Sequence, residues 1–118
     1  MLYEATNVRQ IAGEPRRRWF LDEDIDLIVW IGRFNHVVGF QLCYDKQGDE
    51  RALTWRKDSG FIHQRVEAGK SGPKPTPILV DSDEFDHLKI AQQFKERSAE
   101  IDHRIARFVY QKLLQYPH

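Results

Sequence analysis

Asp26-Leu27-Ile28-Val29-Trp30-Ile31, then Gly32-Arg33-Phe34-Asn35, then His36-Val37-Val38-Gly39-Phe40-Gln41-Leu42-Cys43-Tyr44-Asp45: two apolar, β-branched and aromatic runs flank four residues of turn chemistry. The stretch reads as a β-hairpin, and its neighbours repeat the theme. Arg17–Leu21 precedes it. Glu50–Arg56 and Phe61–Val66 follow, behind the turns Lys46-Gln47-Gly48-Asp49 and Lys57-Asp58-Ser59-Gly60. Short strands joined by short loops predict an antiparallel meander of about five strands over residues 17–66.

Residues 67–77 read as a loop, because Ala68 to Pro77 holds two Gly, three Pro and two Lys. Ile78-Leu79-Val80 is a candidate sixth strand. The pattern then turns helical. Asp86 and Asp102 are good N-caps for helices over about 86–98 and 102–116, the first framed by Phe85 and Ile90 as a hydrophobic staple. Leu88, Ala91, Phe94 and Arg97 continue one face, and Ile105, Phe108, Val109, Leu113 and Tyr116 form an apolar stripe before Pro117. The expectation is one α+β domain, residues 1–118, with both C-terminal helices packed on one face of the sheet.

Composition narrows the function classes. The chain has 118 residues, 41% hydrophobic and 12% aromatic, enough for a packed core. Lys and Arg balance Asp and Glu at 18 each, which makes nucleic acid an unlikely partner on charge grounds. The one cysteine, Cys43, excludes an internal disulfide and a cysteine-based metal cluster. There is no apolar run of membrane-spanning length and no secretory signal, so a cytoplasmic setting is expected.

Four-residue loops fix a register. They set Val29 against Val38, Phe40 against Trp55, Gln41 against Thr54, and Thr54 against His63. One face then holds Leu27, Val29, Val38, Phe40, Leu42, Leu53, Trp55, Ile62 and Val66, and is assigned to the helices. The other mixes Ile28, Trp30, Val37, Gly39, Gln41, Cys43, Thr54, Arg56, Phe61 and His63.

Two uses of the mixed face follow. Asp26, Gln41, Thr54 and His63 form one expected row, so Gln41, Thr54, Arg56 and His63 are candidate ligand-binding residues, with Gly39 permitting close approach to the backbone. Ile28, Trp30, Val37 and Phe61 are candidate interface residues for a homodimer. The blander account is a solvated face whose polar residues pair with their neighbours.

Sharper chemistry fails on spacing. Asp26 and His63 stand about 14 Å apart across three strand gaps, and Cys43 lies on the order of 12 Å from His63, too far for either to be a hydrogen-bonded pair. Gly69-Lys70-Ser71 resembles the end of a phosphate loop, but Gln64 stands where the first glycine belongs. Of the five histidines none shares the i, i+4 spacing of a helical metal pair, and His87 and His103 are expected at exposed first turns, so no metal or cofactor is expected. Arg16-Arg17-Arg18-Trp19-Phe20 mixes bases and aromatics as single-strand binders do, yet Asp22, Glu23, Asp24 and Asp26 follow at once. A charge-protected edge strand is the better account. The acidic cluster lacks the spacing of a calcium loop and reads as a turn.

Arg16-Arg17-Arg18-Trp19-Phe20, Asp26-Leu27-Ile28-Val29-Trp30, Gly39-Phe40-Gln41-Leu42-Cys43-Tyr44-Asp45 and Glu50-Arg51-Ala52-Leu53-Thr54-Trp55 together resemble a small family of uncharacterised bacterial proteins. Thr76-Pro77-Ile78-Leu79-Val80 and Phe108-Val109-Tyr110 extend the resemblance over most of the chain. It implies a bacterial source and an intracellular setting, and no reaction. The balance therefore falls against an enzyme, toward a non-enzymatic interaction module. A small-molecule site around His63, Thr54 and Gln41 is the alternative.

Overall fold

A computed structural model describes residues 1–67, 78–81 and 85–117. The expected loop at Ala68–Pro77, with its Gly69-Lys70-Ser71 segment, lies outside the described residues. Seven antiparallel strands pair in chain order: β1 (Tyr3–Glu4), β2 (Arg16–Leu21), β3 (Asp26–Ile31), β4 (Val37–Tyr44), β5 (Arg51–Arg56), β6 (Gly60–Glu67) and β7 (Ile78–Asp81). Two helices, α1 (His87–Arg97) and α2 (His103–Leu114), follow. The fold is thus the expected α+β meander with C-terminal helices. The expected five strands become seven: β7 is the candidate sixth strand at Ile78-Leu79-Val80, and the two-residue β1 is added to the other edge.

β2 is not the free edge that its charges suggested. β1 pairs with Phe20 and Leu21. Farther along, the Gln10 side chain mimics a strand: its Oε1 accepts from Arg17 N at 2.8 Å and its Nε2 donates to Arg17 O at 2.9 Å. A single carboxamide thereby satisfies both backbone groups of one residue at the edge.

Both helices begin where aspartate can cap them. Asp86 accepts from Lys89 N at 3.2 Å, and Asp102 from Arg104 N at 3.0 Å. The helices cross one face of the sheet. α2 places Phe108 against Trp55 and leads to Tyr116 against Phe61, each at 5.3 Å between ring centroids. α1 runs from Phe85, beside Tyr44, to Arg97, which bonds Asp22 and Asp24. Phe20, Leu27, Val29, Phe40, Leu42 and Leu53 are buried against Ile90, Phe94, Ile105, Val109 and Leu113. The stripe on α2 matches expectation. That on α1 is rotated: Leu88 is 60% exposed, and His87 is buried with Nδ1 2.9 Å from Leu113 O.

Two of the three hairpins depart from the expected register, for different reasons. Between β3 and β4 the loop takes five residues rather than four, with Phe34 and Asn35 both at positive φ. A bulge between Trp30 and Ile31 then skips Val38, so Val29 faces Phe40 rather than Val38. The two single-residue offsets add to an even number. Phe40 and Leu42 keep their face, Val37 ahead of the bulge turns toward the core, and Val38, expected on the helix face, lies instead against Gly32 outside the core. The β4–β5 register is as expected, with Phe40 opposite Trp55 and Gln41 opposite Thr54.

Between β5 and β6 the loop is one residue shorter than expected. Arg56 pairs with Gly60, Ser59 N bonds Arg56 O at 3.2 Å, and Gly60 sits at φ 79°. A turn followed by a left-handed glycine closes three-residue hairpin loops. The slip by one reverses the whole strand. Phe61 and His63 therefore face the helices, and Ile62 and Val66 lie on the open face. Among the described residues no helix is long and apolar enough to cross a membrane.

Candidate functional site

Pairing through the sheet builds three cross-strand rows on the face away from the helices. The first runs Arg17, Trp30, Gly39, Arg56. The middle row is Trp19, Ile28, Gln41, Thr54, Ile62, and the third Leu21, Asp26, Cys43, Ala52, Gln64. Gln41, Thr54 and Arg56, expected on this face, are there, as are Ile28 and Trp30. The expected row of Asp26, Gln41, Thr54 and His63 does not form. Asp26 lies one row away, and His63 is on the other face with Val37 and Phe61.

His63 has become part of the core. It is 5% exposed, its Nε2 lies 2.6 Å from the Tyr44 hydroxyl, and the Phe85 ring packs 4.7 Å from its own. Burial pushes the Tyr44 hydroxyl well above its ordinary pKa, so the phenol keeps its proton for the bond. Such a buried polar pair specifies packing more readily than it serves a solvent-borne ligand.

The close approach at Gly39 is realised within the chain. A Cβ there would stand 3.0 Å from Trp30 Cε3 and 2.9 Å from Trp55 O. The Trp30 indole fills the space, and the Arg56 guanidinium carbon lies 4.2 Å from the ring centroid. A groove of about 230 Å³ remains beside Trp30, lined by Glu14, Pro15, Arg17 and Arg56. Cys43, on the third row, has its thiol pushed up to about 12 by burial, which leaves it protonated and unreactive at neutral pH.

The charged clusters separate by partner. The three consecutive arginines do not form one patch. Arg18 faces the helices and bonds Glu4 at 2.7 Å and Asp102 at 3.1 Å, Arg17 reaches the Arg9 carbonyl, and Arg16 the Asn35 side chain at 3.2 Å. Arg18 holds both the Glu4 and the Asp102 carboxyl below its ordinary pKa. The acidic turn is equally committed. Arg97 bonds Asp22 at 2.7 Å and Asp24 at 2.6 Å, and Lys46 bonds Asp26 at 2.8 Å. Arg97 is 75 positions from Asp22, a separation that leaves no local signal in sequence. Among the described residues no group of three or more His, Cys, Asp or Glu is placed to hold a metal ion.

One feature lies beyond the expected candidates. The β3–β4 tip and the outer side of α2 bring together Phe34, Phe108, Arg104 and Arg107, a cationic and aromatic surface at one end of the sheet. Local turn chemistry hints at the tip, but nothing in sequence places it beside α2. In comparisons with known proteins, no family model matches this chain, and neither a curated protein nor a solved structure matches it.

Proposed function

We propose that the chain is a non-enzymatic interaction module that self-associates through the open face of its sheet. The observation that supports this reading is the order of the three rows. Arginines flank the first row, Asp26 lies in the third, and Trp19, Ile28 and Ile62 supply apolar surface between them. A two-fold axis along the middle row sets that row against its own copy, so Trp19, Ile28 and Ile62 of one chain meet the same apolar row of the other. The face is complementary to itself, as an isologous interface requires. Two such sheets pack about 10 Å apart with their strands roughly aligned. A cytoplasmic, bacterial setting belongs to the same reading.

A small-molecule site is the second reading, and the groove beside Trp30 is what favours it. It no longer includes His63, whose ring is enclosed by Tyr44 and Phe85.

Ile62 is 44% exposed on the middle row, and Leu88 is 60% exposed on α1. Light scattering over a concentration series separates the two surfaces. The native chain and Leu88→Glu are expected to rise toward a dimer mass, while Ile62→Glu, which sets like charges together near the axis, stays monomeric. A native chain that stays monomeric throughout, or a dimer broken only by Leu88→Glu, would overturn the proposal.

A further inference from the structure

Phe34 is in a position that local physics disfavours twice. Its side chain is 91% exposed, and its backbone sits at φ 57°, ψ 27°, a left-handed conformation that Gly or Asn adopts more easily. Beside it a shallow cavity of about 260 Å³ leads over Asp102 and Arg104 to Phe108. Arg104 and Phe108 also line a second groove, about 500 Å³, that continues along the outer side of α2 past Arg107 to Gln115. The two make one trough running from the hairpin tip along the helix.

The unpaired charges along that trough are of one sign. Arg104 and Arg107 are exposed and form no ion pair with a described residue. The acid beside them, Asp102, is already bonded to Arg18. Lys112 lies over the Trp55 and Phe108 rings, 4.6 and 5.6 Å from their centroids, and adds a further cation. Arg104 and Arg107 stand one helical turn apart, where like charges repel. The arrangement is costly to the isolated chain and complementary to an anion that carries apolar groups.

We propose that this trough docks an acidic, apolar-bearing segment of a partner protein, with Phe34 as its aromatic anchor. Carboxylates one turn apart on such a segment meet Arg104 and Arg107, and its apolar side chains meet Phe34 and Phe108. A second copy of this chain fits less well, because Asp22, Asp24 and Asp26 are held by Arg97 and Lys46. Nucleic acid fits less well too. One protruding ring is not a stacking row, and a net charge of zero supplies no long-range attraction. This surface is separate from the open sheet face, so the two readings fail independently.

The test is selection of a random displayed-peptide library on the native chain, with each recovered peptide then titrated against variants. The expected peptides are acidic with interspersed Leu, Phe or Trp. Their binding weakens with salt and falls about tenfold or more in Arg104→Glu/Arg107→Glu, the effect of losing about one good ionic contact. Phe34→Ser weakens them too, while Lys89→Glu on α1 and Ile62→Glu do not. These are exposed positions, and an unchanged circular dichroism melt certifies each variant. Peptides without acidic bias, peptides that bind the double variant as well as the native chain, or an empty selection would overturn the proposal. So would tighter binding of a labelled single-stranded oligonucleotide that the double variant abolishes, which would assign the trough to nucleic acid.

Discussion

The two faces of this sheet are built from the same strands yet differ in what they leave unsatisfied. Under the helices, Leu27, Val29, Phe40, Leu42 and Leu53 are fully buried and interlock with Phe94, Val109 and Leu113. On the other side the same strands present Ile28, Gln41 and Thr54, each half-buried. The helix face is closed: its polar groups, Tyr44 and His63, are bonded within it. The open face keeps two tryptophans and an exposed isoleucine, and the indole N–H of Trp19 is buried without a partner among the described residues. Stability is thus concentrated on one side of the sheet, and the capacity for outside contacts on the other.

Truncation should expose that asymmetry most strongly. Phe40→Ala removes a fully buried ring between Trp55 and the helices and is expected to cost about 3–5 kcal/mol of unfolding free energy in urea. Ile28→Ala, one strand away on the half-buried side, should cost the dilute chain about 1 kcal/mol or less. Similar losses at both positions would break the comparison. Gly39→Ala comes next. Its methyl would press on the Trp55 carbonyl and the Trp30 ring, and overpacking of this kind costs roughly 1–3 kcal/mol. The rigid backbone neighbour at 2.9 Å leaves little room for relief.

Acid should loosen the helix layer before the sheet. Burial opposes ionisation of Asp22, but the Asp24 N–H, the Met1 amino group and Arg97 together hold its carboxyl down at about 2. A depressed native pKa stabilises the fold above the unfolded value. That contribution, about 2 kcal/mol at neutral pH, should fade as pH falls from about 4 to 2. Asp22→Asn should flatten that limb of the stability curve. The smallest effect expected is at Cys43, where the thiol should alkylate with iodoacetamide at pH 8 much more slowly in the native chain than in denaturant. Equal rates would show that the open face is not packed around it.

Much of this fold was legible because alternation and turn chemistry are local. The strand runs, both aspartate caps and the α2 stripe follow from spacing alone. The β4–β5 register followed too, since Lys46 to Asp49 leaves little freedom once Phe40 and Trp55 seek the same side. What escaped depended on backbone conformations that composition does not encode. The bulge at Val38 and the left-handed pair Phe34–Asn35 cancelled in their effect on Phe40 and Leu42, but they turned Val37 inward. The glycine at position 60 cancelled against nothing, and one residue carried His63 and Phe61 to the core. Ile62, which has no polar feature to mark it, took the place of His63 on the face of interest. The expected site around His63 was a sound chemical pattern placed on the wrong side of a strand.

The most direct test of the open face is an isotope-filtered NOE experiment on an equal mixture of carbon-13-labelled and unlabelled chain. Self-association through the middle row predicts intermolecular NOEs from the Ile28 and Ile62 methyls to Trp19 and Trp30 ring protons of the unlabelled copy. Intermolecular NOEs confined to Leu88 or Leu114 on the helices, or none at concentrations where every methyl is resolved, would contradict it.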